Sequence, residues 1–529
     1  MVERFKYLLG ILFSFTVFFS CNTANAQIIV APPPPPTPTT HNPVIIIPGF
    51  LGSFNANALF KDKSGGVWSG FPFYNIYAGL VARFEVAGYV KNHDVFVAYY
   101  DWRHPNKQSA EEFLAPIIAQ AKEQTGQVDI VAHSMGGLLA QAYMDSDDYA
   151  PGEIGKFVML GTPNKGASEA YLPWEGGVLP KTWDWLFRGY VNWIEGNLKI
   201  ANHKQDIQNP AGYRLFFPSL QELLPSVPFI SKDGGDATVS GVDTNPLLQS
   251  LHDNLANIIN DGVDITTIAG SGGNTLGTVA LAGDPTPEDN ALDRWRDGHP
   301  VEEVPLPNTD QGDETVLQSS ALLGQNDIVV DGVTHIQLPE HAQNQILEAL
   351  GIEDSNPQQF IYQAPKSLLG LAVLSPVSVA ITGPDGKIVS AMQNDYGDDA
   401  YVSISSDEGA DPANSAGDDP KVIILQNVPE GKYNVQLTGT GTGEYHVVFT
   451  YGNDANQELN HAFTGTTNLG KQESFTVTIS DDGAEVSKIK RDDPDDDSDD
   501  DAGHHPKGNK PHKKHKHGLL GGLKYLIRK

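Results

Sequence analysis

From Asn42 the chain alternates between two hydrophobic textures. Short apolar runs rich in Val and Ile stand at PVIIIPGF (43–50), HDVFVAYYDW (93–102), QVDIVAHS (127–134), KFVMLGTP (156–163), DITTIAG (264–270) and NDIVVDGVTHI (326–336). Several are nearly continuous, as strands covered on both faces of a parallel sheet must be. Helical periodicity fills the intervals. Over Ser109 to Gln124, Phe113, Ile117 and Ala121 recur every fourth residue behind a Ser109/Glu112 capping-box spacing, and Pro116 predicts a kink. Glu340 to Leu350 reads as a helix with Gly351 at its C-cap. Strand–helix alternation of this kind predicts a doubly wound α/β domain over 42–352.

Two regions break the rhythm. Between Pro163 and Asp310, four of the seven tryptophans (Trp174, Trp183, Trp185 and Trp193) cluster, followed by Phe216, Phe217, Leu220, Leu223 and Leu224. This reads as an inserted subdomain over about 164–260, with its own core, whose apolar underside could serve as a cap over an apolar substrate. Past residue 356, SPVSVAITGPDGKIVSAM, VIILQNVPEGKYNVQLTGTGTGEYHVVFTYG and ESFTVTISDD alternate with period two around Pro-Asp-Gly and Gly turns. They predict a separate β-sandwich over 357–485.

The ends differ from both. MVERFKYLLGILFSFTVFFSCNTANAQ has early basic residues, an apolar run and Ala24-Asn25-Ala26, the layout of a secretory signal peptide over 1–26. Cys21, the only cysteine, lies in Phe-Phe-Ser-Cys, which resembles a lipoprotein cleavage box and offers a competing processing site. Either route exports the protein. APPPPPTPTT within 27–41 is an extended proline-rich linker. The tail over 486–529 turns acidic in DDPDDDSDDD, then basic and His-rich, and reads as a solvated arm. Neither run supplies the fixed geometry of a metal site, and no cofactor is expected. Its apolar-basic end suits contact with an anionic membrane or cell surface, alone or with the sandwich.

Charge narrows the partners. With 529 residues, a formal net charge of −31 and a pI near 4.7, the chain lacks the basic face that nucleic-acid binding needs.

The chemistry concentrates at VDIVAHSMGG (128–137). A serine between an apolar strand and a helical run, followed by Gly136-Gly137, has the context of a nucleophile elbow, with Ala132 where glycine is usual. A serine needs oxyanion donors, a base and something to orient the base. Met135 N–H is one donor, and IIIPGFLGS (45–53) offers Phe50 N–H as the other. A plain turn is the bland reading of Pro48-Gly49. An acid and then a histidine should follow in the chain. GDETV offers Asp313, with Asp310 and Glu314 as alternatives, and DGVTHIQLP offers His335. His341 falls within the following helix, and His133 packs beneath the elbow rather than serving as base.

NPVIIIPGFLGS, YYDWR, IVAHSMGG, LGTPNKG, PSLQELLP (218–225) and GDETV occur here in an order that resembles bacterial lipases and lecithin–cholesterol acyltransferase-like proteins, over about residues 42–352. VTHIQLP is similar to the segment around the catalytic histidine of small bacterial lipases. The resemblance implies an α/β-hydrolase acting on acyl esters of lipids. It would make Ser134 the nucleophile, Asp313 the orienter, His335 the base, and Phe50 and Met135 the oxyanion donors. With one cysteine, the acyltransferase's disulfides cannot form, so its way of tying the lid does not carry over.

The expectation is therefore an exported serine hydrolase (lipase or esterase). Acyl transfer to an alcohol is the nearest alternative, and a non-catalytic surface-binding protein on a hydrolase scaffold is the alternative of another class.

Overall fold

The computed structural model describes residues 41–63, 65–72, 74–201, 209–237, 245–301, 309, 311–353, 358–374, 376–403 and 420–489. The expected signal peptide, Cys21, nearly all of the proline-rich linker, Asp310 and the tail beyond 489 lie outside them. The chain forms two units.

The first unit is built on six parallel strands: β1 (Val44–Ile47), β2 (Val95–Val97), β3 (Val128–His133), β4 (Ile154–Leu160), β5 (Asp264–Ser271) and β6 (Asp327–Asp331). Their spatial order is β2-β1-β3-β4-β5-β6. Four of them fall inside apolar runs read from the sequence; β4 begins two residues before its run at 156–163, and β5 extends one residue past its run at 264–270. Burial explains the lack of alternation, because every residue of β1 and β3 is buried. Val44 and Ile46 join Leu80 and Phe84 of helix α1 (Ala78–Val86) and Ile346, Leu347 and Leu350 of helix α4 (Gln343–Leu350) in one core cluster. Gly351 closes α4 with φ 72°, as a C-terminal glycine does.

The strand order reverses between β1 and β3. In open α/β sheets that reversal opens a crevice at the carboxyl ends of the strands, where ligands bind. Ser134 and the 48–53 loop sit there.

The expected Ser109–Gln124 helix starts earlier and is interrupted. It runs as α-helix Asn106–Ser109, a π turn Ala110–Leu114 and α-helix Ala115–Ala121. Pro116 lacks an N–H and falls in the first turn of the last piece, where none is needed. Ser109 is no cap; its hydroxyl donates to the Asp101 carbonyl at 2.9 Å.

The inserted region is wider than 164–260. A four-stranded sheet joins Ile230–Lys232 and Gly235–Ala237 to Val279–Ala282 and His299–Pro300, which follow β5. Buried Glu175 accepts hydrogen bonds from Arg214 and Arg296 and so links three parts of this region.

The second unit comprises Gly189–Ile200 and the chain from Pro365. Ten antiparallel strands form two five-stranded sheets. They are β7 (Ser367–Leu374), β8 (Val377–Thr382), β9 (Ile388–Ser390), β10 (Ala400–Ser403), β11 (Lys421–Gln426), β12 (Gly431–Gly439), β13 (Gly443–Asn453), β14 (Glu458–Thr467), β15 (Gln472–Ser480) and β16 (Gly483–Ile489). The orders are β10-β11-β7-β13-β14 and β9-β8-β12-β15-β16. Leu369, Leu371, Val373, Ile381, Ile423, Phe449, Phe475 and Val477 fill the space between the sheets.

β7 is buried at all eight positions, unusual for an antiparallel strand. Its outer face is covered by the Gly189–Ile200 portion of helix α3 (Trp185–Ala201), whose Trp193 ring lies over Gly370. Gly196 approaches Val448 and Asn460, and Asn460 donates to the Asn192 carbonyl. Part of the stretch read from sequence as cap, Gly189–Ile200, thus belongs with the sandwich and covers an outer face of it.

Candidate active site

Ser134 follows β3 directly and caps helix α2 (Met135–Met144) with φ 55° and ψ −129°, a conformation costly for any residue but glycine. The turn is tight because the helix leaves directly over the sheet. A Cβ on Gly136 would lie 2.5 Å from the Pro48 carbonyl oxygen, and one on Gly137 would lie 2.0 Å from Thr162 Oγ1. Ala132, in the place usually held by glycine, is fully buried and paired with Ile47 and Met159.

The 48–53 loop is held against this turn from three sides. Tyr100 Oη donates to the Pro48 carbonyl at 3.0 Å, Gly49 N–H donates to Tyr77 Oη at 2.9 Å, and Trp102 Nε1 donates to the Ser53 carbonyl at 2.9 Å. Gly49 lies so close that its Cβ would meet Ser134 Cβ at 2.7 Å. The Phe50 ring packs edge-on to Trp102 at 4.8 Å, with Trp183 at 6.3 Å, and Trp102 stacks on Phe217 at 5.5 Å. The Phe50 and Met135 amides donate to no acceptor among the described residues, and Met135 opens a ten-residue helix whose positive end faces the serine.

Asp313 lies in the loop after β5 and His335 follows β6. His335 Nδ1 and Asp313 Oδ2 are 2.8 Å apart, and His335 N–H donates to the Asp313 carbonyl at 2.7 Å. The other carboxylate oxygen, Oδ1, accepts from the Val316 and Thr315 amides at 2.7 and 3.1 Å, so both oxygens are engaged. Gly161 and Gly270 make room: a Cβ at Gly161 would sit 3.0 Å from both Asp313 Oδ2 and His335 Nδ1, and one at Gly270 would sit 2.8 Å from Asp313 Cβ.

Of the other acids considered, Asp310 lies outside the described residues. Glu314 has φ 81°, and its amide donates to Thr275 Oγ1. Burial, then the Asp313 charge, raises its carboxyl above the ordinary range. It makes no contact with His335 among the described hydrogen bonds. His341 is half-buried at the end of a short helix.

Ser134 and His335 are 9% and 8% exposed, and His133, the serine's neighbour in the chain, joins them: its ring lies 4.8 Å from that of His335 and its Nε2 lies 3.0 Å from the His335 carbonyl oxygen. The Ser134 hydroxyl itself makes no hydrogen bond among the described residues. Serine–base contacts are commonly long until substrate is bound. The set can therefore fix the orientation of the His335 imidazole near a strained serine and two open amides.

Several contributors are not readable as such in the sequence. YYDWR carries Tyr100 and Trp102, which hold the donor loop, and Asp101 and Arg103, paired at 2.7 and 2.8 Å. Tyr77 has no motif around it. Glu169, fully buried, accepts from Trp183 Nε1 at 3.1 Å and from Thr182 Oγ1. Burial foremost pushes its carboxyl up to about 8, with Asp313 and Glu314 adding to the rise. No group of His, Cys, Asp and Glu among the described residues could hold a metal ion.

A family model for lecithin:cholesterol acyltransferase matches residues 68–181, which include YYDWR, the elbow and LGTPNKG. No curated protein sequence matches. Similar solved structures include the lipase BlEst2 of Bacillus licheniformis in its propeptide form, 13% identical over 86% of this chain and 97% of that one, with a TM-score of 0.32. The phospholipase PlaB of Legionella pneumophila is 11% identical over 80% and 91% of the two chains, with a TM-score of 0.33. Carboxylesterase CesB of Bacillus subtilis is 11% identical over 59% and 85%, with a TM-score of 0.25.

Proposed function

We propose that this protein is an exported serine hydrolase that cleaves carboxylic esters of lipids. The observation that carries the reading is the buried Asp313–His335 pair at 2.8 Å, together with a serine of φ 55° at the strand-order reversal of a parallel sheet.

In this reading His335 Nε2 takes the Ser134 proton as Oγ attacks the ester carbonyl. Asp313 keeps the proton on Nδ1 and steadies the imidazolium that forms. The Phe50 and Met135 amides bind the oxyanion, each worth about 3 kcal/mol in the transition state. His335 then protonates the leaving alcohol, and water releases the acyl group by the same steps. The Phe50 ring at the donor loop, packed against Trp102 and near Trp183, gives the site an apolar surround that favours an apolar acyl chain.

A second reading, transfer of the acyl group to a lipid alcohol, is favoured by the match of the acyltransferase family model across the elbow. Both use the same acyl-enzyme. A panel from short synthetic esters to triacylglycerol and phospholipid, with and without a lipid alcohol and with Ser134→Ala as blank, tests both. Free fatty acid made by the parent alone supports hydrolysis, and a new lipid ester made only with the alcohol present supports transfer. No turnover on any ester by the parent overturns the catalytic reading and leaves the non-catalytic surface-binding protein.

The sandwich and the charged tail are read as the parts that meet a membrane or cell surface.

A further inference from the structure

The mechanism above leaves two buried polar side chains without a task. His133 precedes the serine and is 4% exposed, and Tyr77 is 2% exposed. Between them runs a chain of three contacts. Gly49 N–H donates to Tyr77 Oη at 2.9 Å, Tyr77 Oη lies 3.0 Å from His133 Nδ1, and His133 Nε2 lies 3.0 Å from the His335 carbonyl oxygen.

One proton arrangement of a neutral His133 satisfies all three. The His335 carbonyl can only accept, so His133 Nε2 must carry a hydrogen. Nδ1 is then bare and accepts from Tyr77 O–H, which leaves the phenol oxygen free to accept from Gly49. A charged His133 would carry hydrogens on both nitrogens and leave the Tyr77 proton without an acceptor. Burial, then the neighbouring His335, holds His133 well below the ordinary imidazole range, in keeping with the neutral form. Burial likewise raises the Tyr77 phenol, which keeps its proton.

We propose that Tyr77 and His133 are positioning residues that fix the separation between the oxyanion-donor loop and the base. The proposal rests on the hydrolase reading above and deepens it. The donor at Phe50 is one residue from Gly49, and the base is borne by the residue whose carbonyl His133 holds. Three segments far apart in sequence, residues 48–50, 133–134 and 335, are thus tied through buried hydrogen bonds rather than apolar contact alone. Such ties are directional: a slip of either the loop or the base lengthens at least one of them. The payoff falls in the transition state, where donor and base must fit one geometry at once, and little falls on ground-state substrate binding.

The test uses the full chain and a soluble ester the parent hydrolyses. Tyr77→Phe removes one oxygen and keeps the ring. It should lower kcat by roughly 10- to 100-fold, leave KM within about twofold, and weaken a trifluoromethyl ketone inhibitor by a factor matching the loss in kcat/KM. His133→Phe fills the volume without polar atoms and should behave alike. His133→Gln, whose amide nitrogen reaches the Nε2 position and can still donate to the His335 carbonyl, should recover part of kcat. Urea denaturation reports folding separately. Folded Tyr77→Phe and His133→Phe proteins that keep the parent kcat overturn the proposal, since packing alone then suffices. Should Tyr77→Phe not fold, the two His133 variants decide: equal kcat overturns the proposal, and a higher kcat for His133→Gln upholds it. Ser134→Ala separates the two levels of inference. An inactive parent, or a Ser134→Ala variant as active as the parent, defeats the hydrolase reading itself. An active parent with inactive Ser134→Ala and unaffected Tyr77→Phe and His133→Phe defeats only the positioning role.

Discussion

Asp313 contributes more contacts to the site than its distance from His335 conveys. Its Oδ1 is held by two amides and its backbone carbonyl by the His335 amide, so the carboxylate is aimed before any substrate arrives. Asp313→Asn retains the shape and puts an amide where an acceptor is needed. The Nδ1 proton would lose its partner and the imidazole its tautomer, and kcat should fall by about 10⁴-fold with a small change in stability, read by steady-state kinetics and urea denaturation. Asp313→Glu places the carboxylate one methylene too far and should not rescue. Serine, acid and base were all legible in the sequence as candidates, because each chemistry demands few residue types in a fixed chain order. The choice of Asp313 over Glu314 was open there. Of the two described acids the structure brings Asp313, not Glu314, against His335, because the turn after it sends Glu314 through φ 81° with its amide on Thr275.

At the scale of elements, two segments shape the site from outside the strand ends. The first is the start of α2. Because a Cβ at Gly136 would press on the carbonyls of Pro48 and Ile47, both backbone, relief requires the donor loop to move. Gly136→Ala should therefore lower stability by about 1–3 kcal/mol and kcat with it, whereas Gly189→Ala, helical and with nothing within 4 Å of its Cβ, tests the effect of glycine removal away from the site. The second is the Thr182–Trp183 segment, fastened to Glu169. The Glu169 carboxyl titrates near 4.5 when solvated and at about 8 in the fold, so over that window the native state holds a proton the unfolded chain has lost. Stability must then fall as pH rises from about 4.5 to about 8. Glu169→Gln keeps the acceptor for Trp183 and removes the titration. Its melting temperature relative to the parent should rise with pH across that window; a constant difference between the two would contradict this origin. None of this could be read from the sequence, in which Glu169 is one acid among many and its burial depends on contacts that form only in the fold.

At the scale of the molecule, the sequence textures separated the α/β sheet from the sandwich, since parallel strands buried on both faces and half-buried antiparallel strands have different periods. The role of Gly189–Ile200 was not visible. Its tryptophans fit an inserted cap as well as a sandwich face, and periodicity does not say which partner an apolar helix covers. The one hint was SLLGLAVL at 367–374, too continuous for a strand with a solvated side; its outer face carries Trp193. Trp193→Ala should reduce the stability of the second unit by about 3–5 kcal/mol, seen in a shifted unfolding transition, and Gly370→Ala, with 3.5 Å to the Trp193 ring, should be tolerated there only if Thr450, 2.6 Å away, can turn aside.

The central claim, that Ser134 is an activated nucleophile, is tested most directly by intact-protein mass after brief exposure of the full chain to a fluorophosphonate. The account predicts one adduct per chain, on the peptide containing Ser134, lost in Ser134→Ala and formed far more slowly in His335→Ala. A parent that stays unmodified, or a Ser134→Ala variant modified as fast as the parent, would contradict it.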